Sequence, residues 1–239
     1  MSVMPGYSPR AGAAVIIPVD VIRFFYVMTA IVMMLGIARE VFVVMVGTET
    51  VLQDLRHFEL DAERNVGAWY SSALMVLIAV CAFFNWQMNR HRTDIVSYSW
   101  LLISVVFFAL SVDETAGFHE VVDVPLRETF ELTGAFYNPW IFFGAFFVVV
   151  FAAVLMPFLL SLPRMIAALF VVSGAIYVGG ALGLEPFDAY FEYTYGEGSF
   201  PHIVSTIIEE TLEMIGLTLF LHANLIYMAD TRTTLLLRR

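Results

Sequence analysis

The 239-residue chain has no lysine, a single cysteine and few charged residues for its size. The lone Cys81 excludes an internal disulfide and a metal site built from cysteines. The net charge of -10 argues against nucleic acid as a partner. Charged residues make up 14% of the chain, whereas a soluble domain has about 25%. Because 60% of the residues are also hydrophobic and the mean hydropathy is +0.81, the composition indicates an integral membrane protein.

Long apolar segments set the predicted architecture. A membrane-spanning helix needs about 20 predominantly apolar residues. Six segments meet this requirement, and we predict transmembrane helices over about 19–46, 66–88, 95–118, 139–161, 164–184 and 201–228. The predicted fold class is therefore all-α, a polytopic bundle of six transmembrane helices that forms a single membrane domain over residues 1–239.

The distribution of arginine predicts how this bundle is oriented. Six spans place both termini on one side, and the tails and short loops there hold eight of the twelve arginines and three acids. The other side has the longer connections and holds or adjoins the remaining nineteen acids and four arginines. Because positive charge in short loops marks the cytoplasm, we expect cytoplasmic termini, an acid-rich extracytoplasmic face and the bacterial inner (cytoplasmic) membrane as location.

Two of the apolar helices carry acids near the predicted outer face. The third helix ends in SVDETAGFHE, residues 111–120, and the "TAG" within it allows the helix to end or bend. We expect Asp113 or Glu114, and one of His119 and Glu120, to face the sixth helix. At about 100° per residue, the sixth helix gathers its polar residues into one stripe: His202, Thr206, Glu209, Glu210, Glu213 and Asn224. Because a charge facing lipid costs several kcal/mol, this stripe is expected to face the bundle interior.

Several ionised carboxylates that lie close together repel one another, so something must compensate them. Shared protons, ion pairs with Arg39 or Arg127, and a bound cation are the three possibilities. A mixture of Glu, Asp and His suits Fe, Mn or Zn, so a divalent metal ion is the cofactor we expect. The Glu-x-x-His repeat of two-metal bundles is absent, and its nearest counterpart is Glu210-x-x-Glu213.

The candidate site residues fall into two groups. The predicted metal ligands are Glu114, His119, Glu120, Glu210 and Glu213. The predicted supporting or alternate ligands are Asp113, Glu209, His202, Arg39 and Glu185.

Three further segments carry structural predictions. Trp69 and Tyr70 are expected at the membrane–water interface, where aromatic residues concentrate. Four glycines of the fifth helix, at positions 174, 179, 180 and 183, are expected to permit close helix packing. The connection HEVVDVPLRETFELTG is expected to form a short surface helix.

The acidic motifs of this chain are similar to those of two groups of membrane proteins. The chain resembles a group of uncharacterised multi-pass bacterial membrane proteins with "SLDE…HE" late in one helix and "EE…LEM.G" in the last. The matching residues here lie in SVDETAGFHE and EETLEMIG, and the resemblance implies a location and no activity. Ser111, Asp113 and His119 are also similar to part of the zinc site of alkaline ceramidase-type membrane hydrolases. Glu209 and Glu213 stand where that family has paired histidines, which argues against zinc hydrolysis.

Three classes of function are compatible with this pattern. In a metal-dependent enzyme, the metal would activate water or dioxygen for a lipid-like substrate. A non-catalytic subunit of a larger membrane complex, or a homo-oligomer, would expose apolar surface to protein partners as well as to membrane lipid. A proton or cation transporter or channel would extend polar residues across the membrane. Below Glu213 these residues thin out to Thr218, His222 and Asn224, which argues against a complete pathway.

Overall fold

The computed structural model describes residues 19–47, 53–60, 62, 64–91 and 95–237, without the side chains of residues 53–54, 120 and 231–237. All regular secondary structure in this part of the chain is helical, which confirms the all-α class. The eight α-helices are α1 (Val19–Val46), α2 (Val66–Asn89), α3 (Ile95–Ala116), α4 (Asp123–Phe130), α5 (Trp140–Ser161), α6 (Arg164–Ala181), α7 (Glu185–Tyr195) and α8 (Phe200–Leu237).

Six helical segments are long and apolar enough to cross a membrane, which confirms the predicted number of spans. They are α1, α2, α3, α5, the run Arg164–Tyr195 that combines α6 with α7, and Phe200–Asp230 of α8. The short helix α4 lies in the connection where a surface helix was predicted. Residues 185–200, which connect the predicted fifth and sixth spans, were expected to be one of the longer connections, but Glu185–Tyr195 form the helix α7. Pro186 lies in the first turn of α7, where proline is tolerated because no helical hydrogen bond is lost.

The helix α3 ends where the "TAG" segment allows it to end. Its last residue is Ala116, and Gly117 follows with φ +60°, a left-handed conformation that glycine adopts without steric cost. The backbone N–H of Gly117 donates to the Asp113 carbonyl at 2.8 Å, which closes the final turn. The chain therefore reverses directly after the acids of α3, and this reversal determines where His119 lies.

Glycine brings α6 and α8 into close contact at two points. A Cβ on Gly180 would lie 2.8 Å from the Glu209 carbonyl oxygen and 3.0 Å from the Glu213 Cγ atom. A Cβ on Gly216 would lie 2.6 Å from the backbone nitrogen of Tyr177. The predicted packing role of the glycines therefore holds for Gly180, whereas a Cβ on Gly174 would meet nothing within 4 Å.

The core of the bundle is apolar and aromatic. Trp100 of α3 is fully buried and packs edge-on against Phe158 of α5, with ring centroids 5.0 Å apart. The predicted interfacial position of Tyr70 is wrong, because Tyr70 is only 5% exposed and its hydroxyl lies 2.9 Å from the Thr29 Oγ1 atom. Trp69, its neighbour in sequence, is 67% exposed.

Candidate functional site

At the end of the bundle where α3 ends and α8 begins, which we call the outer end, a cavity of about 560 Å³ opens. We call it the acid-lined cavity, because ten acidic residues are among those that line it: Asp113, Glu114, Asp123, Glu185, Asp188, Glu192, Glu197, Glu209, Glu210 and Glu213. Within the part of the chain that the structure describes, Arg127 is the one arginine in this lining, and His119 and His202 are its two histidines. The cavity therefore concentrates acidic side chains in a partly enclosed space.

The polar stripe of α8 forms one wall of this cavity. His202 and Thr206 are buried, Glu209 is 8% exposed, and Asn224, deeper in the bundle, is fully buried. Because Gly180 lets α6 approach, the Glu209 and Glu213 backbone lies directly against the neighbouring helix. The prediction that this stripe faces the bundle interior is confirmed.

Glu185, the first residue of α7, is tied to the start of α5. Its Oε1 atom accepts hydrogen bonds from Asn138 Nδ2 at 2.9 Å and from Trp140 Nε1 at 3.2 Å. Glu209 of α8 lines the same cavity.

His119 is held by the helix end that precedes it. Its Nδ1 atom lies 2.9 Å from Asp113 Oδ2, and its backbone N–H donates to Asp113 Oδ1 at 3.1 Å. The imidazole also packs against the Trp140 indole, with ring centroids 4.9 Å apart. This pairing fixes the ring at the cavity wall and occupies one carboxylate of the lining.

Asp123, at the start of α4, contributes a buried carboxyl to the outer part of the cavity. Its Oδ1 atom accepts the backbone N–H of Trp140 at 2.9 Å. Burial raises the pKa of Asp123 above its ordinary value, while the Trp140 hydrogen bond and the charges of Arg127 and His119 limit the rise. The Arg127 guanidinium lies 3.6 Å from the centre of the Tyr137 ring, a cation–π contact that positions this arginine.

Asp188 and His202 connect α7 to α8. Asp188 Oδ2 lies 3.3 Å from His202 Nε2, and the Thr206 hydroxyl donates to Asp188 Oδ1 at 3.3 Å. His202 also lines a second cavity of about 280 Å³, so it stands in the wall between the two spaces.

Arg39 lies at that second cavity and is not among the residues that line the acid-lined cavity. Its Nη1 atom bonds to both carboxylate oxygens of Glu40 at 2.9 Å, and its Nη2 atom pairs with Glu59 at 2.9 Å. The Leu60 backbone N–H donates to Glu40 at 3.1 Å. Arg39 therefore serves an ion-paired structure between α1 and the connection that follows it.

The structure brings most of the predicted site residues to one cavity without forming a metal centre. Among the described residues, no group of three or more His, Cys, Asp or Glu is arranged so that it could hold a metal ion. Glu114, His119, Glu210 and Glu213 all line the acid-lined cavity. The side chain of Glu120, the fifth predicted ligand, lies outside the described part of the chain.

Several lining residues were missed by the sequence analysis, namely Asp123, Asn138, Trp140, Tyr177, Asp188, Glu192 and Glu197. A usable signal existed for α7, since Glu185, Asp188 and Glu192 are spaced three and four residues apart, which places them on one helix face. Asp123 lines the cavity only because the connection between α3 and α5 folds toward α5. The sequence of this connection has no periodic pattern that predicts such folding.

A family model matches residues 21–228 of the chain, and its description is Domain of unknown function (DUF8692). Neither a curated protein nor a solved structure matches the chain.

Proposed function

The chain belongs to the DUF8692 family, and we propose that it is a membrane protein that binds a small organic cation in the acid-lined cavity. The observation that carries this proposal is the composition of the lining, where ten acidic residues face a single arginine around a space of about 560 Å³. That volume lies in the range of small-molecule sites, roughly 300–1,000 Å³. We also propose that the cavity opens on the extracytoplasmic side, since the arginine distribution predicts cytoplasmic termini.

Electrostatics favours a cation in this space. A cleft lined by charge of one sign, with low-dielectric walls, focuses the field and raises the local concentration of the opposite charge. Aromatic rings in the lining add to this attraction, because a cation over a ring face gains about 0.5–2 kcal/mol. Trp140 and Tyr177 supply those rings.

The distribution of the acids favours an organic cation over a metal ion. A divalent metal ion needs several ligand atoms converging within about 2–2.6 Å, and the described residues form no such group. An ammonium group attached to a carbon skeleton instead contacts carboxylates at hydrogen-bond distance and fills the remaining space. A metal-dependent enzyme that acts on a lipid-like substrate is therefore the alternative, which metal analysis tests.

Binding of an amine to the purified protein tests the proposal. Isothermal titration calorimetry in detergent would compare butylamine with butyrate, which has the same number of carbon atoms and the opposite charge. We expect butylamine alone to bind, and the Glu209→Gln/Glu213→Gln variant to weaken binding roughly tenfold by removing two charges at close range. The matched control is Glu128→Gln, an exposed residue of α4 outside the cavity lining.

Elemental mass spectrometry on the same preparations separates the alternatives. A stoichiometric amount of Fe, Mn or Zn that disappears in a Glu210→Gln/Glu213→Gln variant, with no butylamine binding, would replace the organic-cation proposal by the metal enzyme. Unchanged butylamine binding in the Glu209/Glu213 variant would place the cation elsewhere.

Transport is a second candidate, favoured by polar groups found below the cavity. Thr218 of α8 lies 2.7 Å from Thr29, Oγ1 to Oγ1, and Thr29 in turn bonds to the Tyr70 hydroxyl. Deeper still, Asn85 Nδ2 donates to the Asn224 carbonyl at 3.4 Å. Uptake of labelled butylamine into proteoliposomes, slowed by Thr218→Val, is the expected result for a transporter. Binding without uptake would leave a receptor or a subunit of a larger complex.

A further inference from the structure

The acid-lined cavity has an apolar side that the binding of a small cation does not use. On α3 the lining passes from Asp113 and Glu114 at the outer end to Leu110 one turn further in. Glu185 lies beyond the turn that follows α6, and within α6 itself the lining includes Val178 and Ala181. Charge therefore lies at the outer end of these walls and apolar side chains lie at depth.

The helix α5 adds apolar residues to this lining. Its lining residues are Trp140 at the outer end and then Gly144, Phe147 and Val148. The buried residues of α5 are Ile141, Leu155 and Phe158, so this helix packs tightly mainly in its inner half. The segment between them borders the apolar part of the cavity instead of filling it.

Phe147 belongs to this apolar part. It lines the cavity and is 43% exposed. The opposite wall is α8, where Glu213 lies at the depth of Gly180. A molecule in the cavity thus meets carboxyl groups on one side and aliphatic or aromatic side chains on the other.

We infer that the ligand is a cationic amphiphile, a long-chain amine whose ammonium group lies at the α8 acids and whose alkyl chain lies against Leu110, Phe147, Val148 and Val178. This inference rests on the proposed binding of a cation in the same cavity. Charge complementarity selects the head group, since an anionic or zwitterionic lipid would bring a phosphate next to Glu209, Glu210 and Glu213. The apolar wall selects the chain, because each buried methylene contributes about 0.8 kcal/mol relative to water.

Photoaffinity labelling tests the position of the chain. Dodecylamine with a diazirine at its terminal carbon would be irradiated with the full-length protein in phosphatidylcholine nanodiscs, and the labelled residues mapped by mass spectrometry. We expect labelling on α3, α5 and α6 around the four apolar residues. Unlabelled dodecylamine should suppress it, and butylamine should require a roughly tenfold or greater excess, because it lacks the chain contacts.

Two α5 variants provide the matched comparison. Val148→Trp fills the apolar part of the cavity and should reduce labelling several-fold while butylamine binding by calorimetry is retained. Phe143→Trp, at a position 60% exposed and outside the lining, should leave both measurements unchanged.

The outcomes separate the two proposals. Equal suppression by butylamine and dodecylamine, or unchanged labelling in Val148→Trp, would overturn the amphiphile while leaving the cation site intact. Labelling that neither amine suppresses, and that Glu209→Gln/Glu213→Gln does not reduce, would overturn the amphiphile together with the cation site.

Discussion

Gly180 of α6 lies directly against Glu213 of α8, so that a Cβ at position 180 would come within 3.0 Å of the Glu213 Cγ atom and 2.8 Å of the Glu209 carbonyl oxygen. Because Gly180 has no side chain, α6 and α8 lie close together here, and this contact positions Glu209 and Glu213. Close approach through small residues is the usual way in which helices associate in membranes. Here the same contact also builds one wall of the acid-lined cavity.

Replacing Gly180 should therefore affect stability and the site together. Gly180→Val pushes α6 away from the α8 backbone, and we expect a loss of roughly 1–3 kcal/mol, typical of overpacking. Thermal unfolding in detergent measures the stability, and calorimetry measures butylamine binding. Gly174→Val is the matched control, because a Cβ there meets nothing within 4 Å. Equal melting temperatures for the two variants would contradict the close contact.

We predict that the buried Asp123 carboxyl makes the stability of the protein depend on pH. Since burial raises its pKa in the folded protein, folding favours the protonated form. The contribution of Asp123 to the free energy of unfolding is complete below the ordinary aspartate pKa of about 3.9. It is lost as the pH rises through the folded-state pKa. Asp123→Asn keeps an acceptor for the Trp140 N–H and removes the ionisation. The melting temperature of this variant relative to wild type should therefore increase between acidic and neutral pH. A difference that is constant with pH would contradict the prediction.

The spans and the α8 stripe could be predicted because each depends on local sequence alone. Apolar length identifies a transmembrane helix, and the 100° rotation per residue identifies the face that carries His202, Thr206 and Glu209. The partners of α3 could not be predicted in the same way. Projected as a continuous helix, Asp113 and His119 point in different directions, but the chain turns at Gly117 and returns His119 to Asp113.

The metal prediction depends on a distance that the sequence does not contain. Sequence places Glu114, His119, Glu210 and Glu213 at one end of the bundle, and in the structure all four line one cavity. Whether acids converge on one point or line a larger space depends on tertiary packing. The missing α7 prediction has a different cause, since the mixed aromatic and acidic segment EPFDAYFEYTY resembles an interfacial loop in composition.

Arg39 should contribute strongly to stability. Its side chain is 11% exposed and pairs with Glu40, whose side chain is 5% exposed. Arg39→Ala leaves that carboxylate buried without its partner, and we expect a loss of about 3 kcal/mol, typical of a broken buried pair. Arg23→Ala is the control, because the Arg23–Asp20 pair is exposed and separated by 3.9 Å, and exposed pairs contribute at most about 1 kcal/mol. Similar melting temperatures for both variants would show that the Arg39 pair contributes little.

Cysteine labelling can test the orientation of the bundle, because the chain has so few native thiols. Cys81 is the single cysteine, so Cys81→Ser provides a thiol-free background for two single-cysteine variants. Glu128→Cys on α4 and His91→Cys between α2 and α3 are both at exposed positions. A membrane-impermeant maleimide applied to intact cells should label Glu128→Cys and should label His91→Cys only after the membrane is permeabilised. The reverse pattern would place the acid-lined cavity on the cytoplasmic side, and its ligand would then have to come from within the cell.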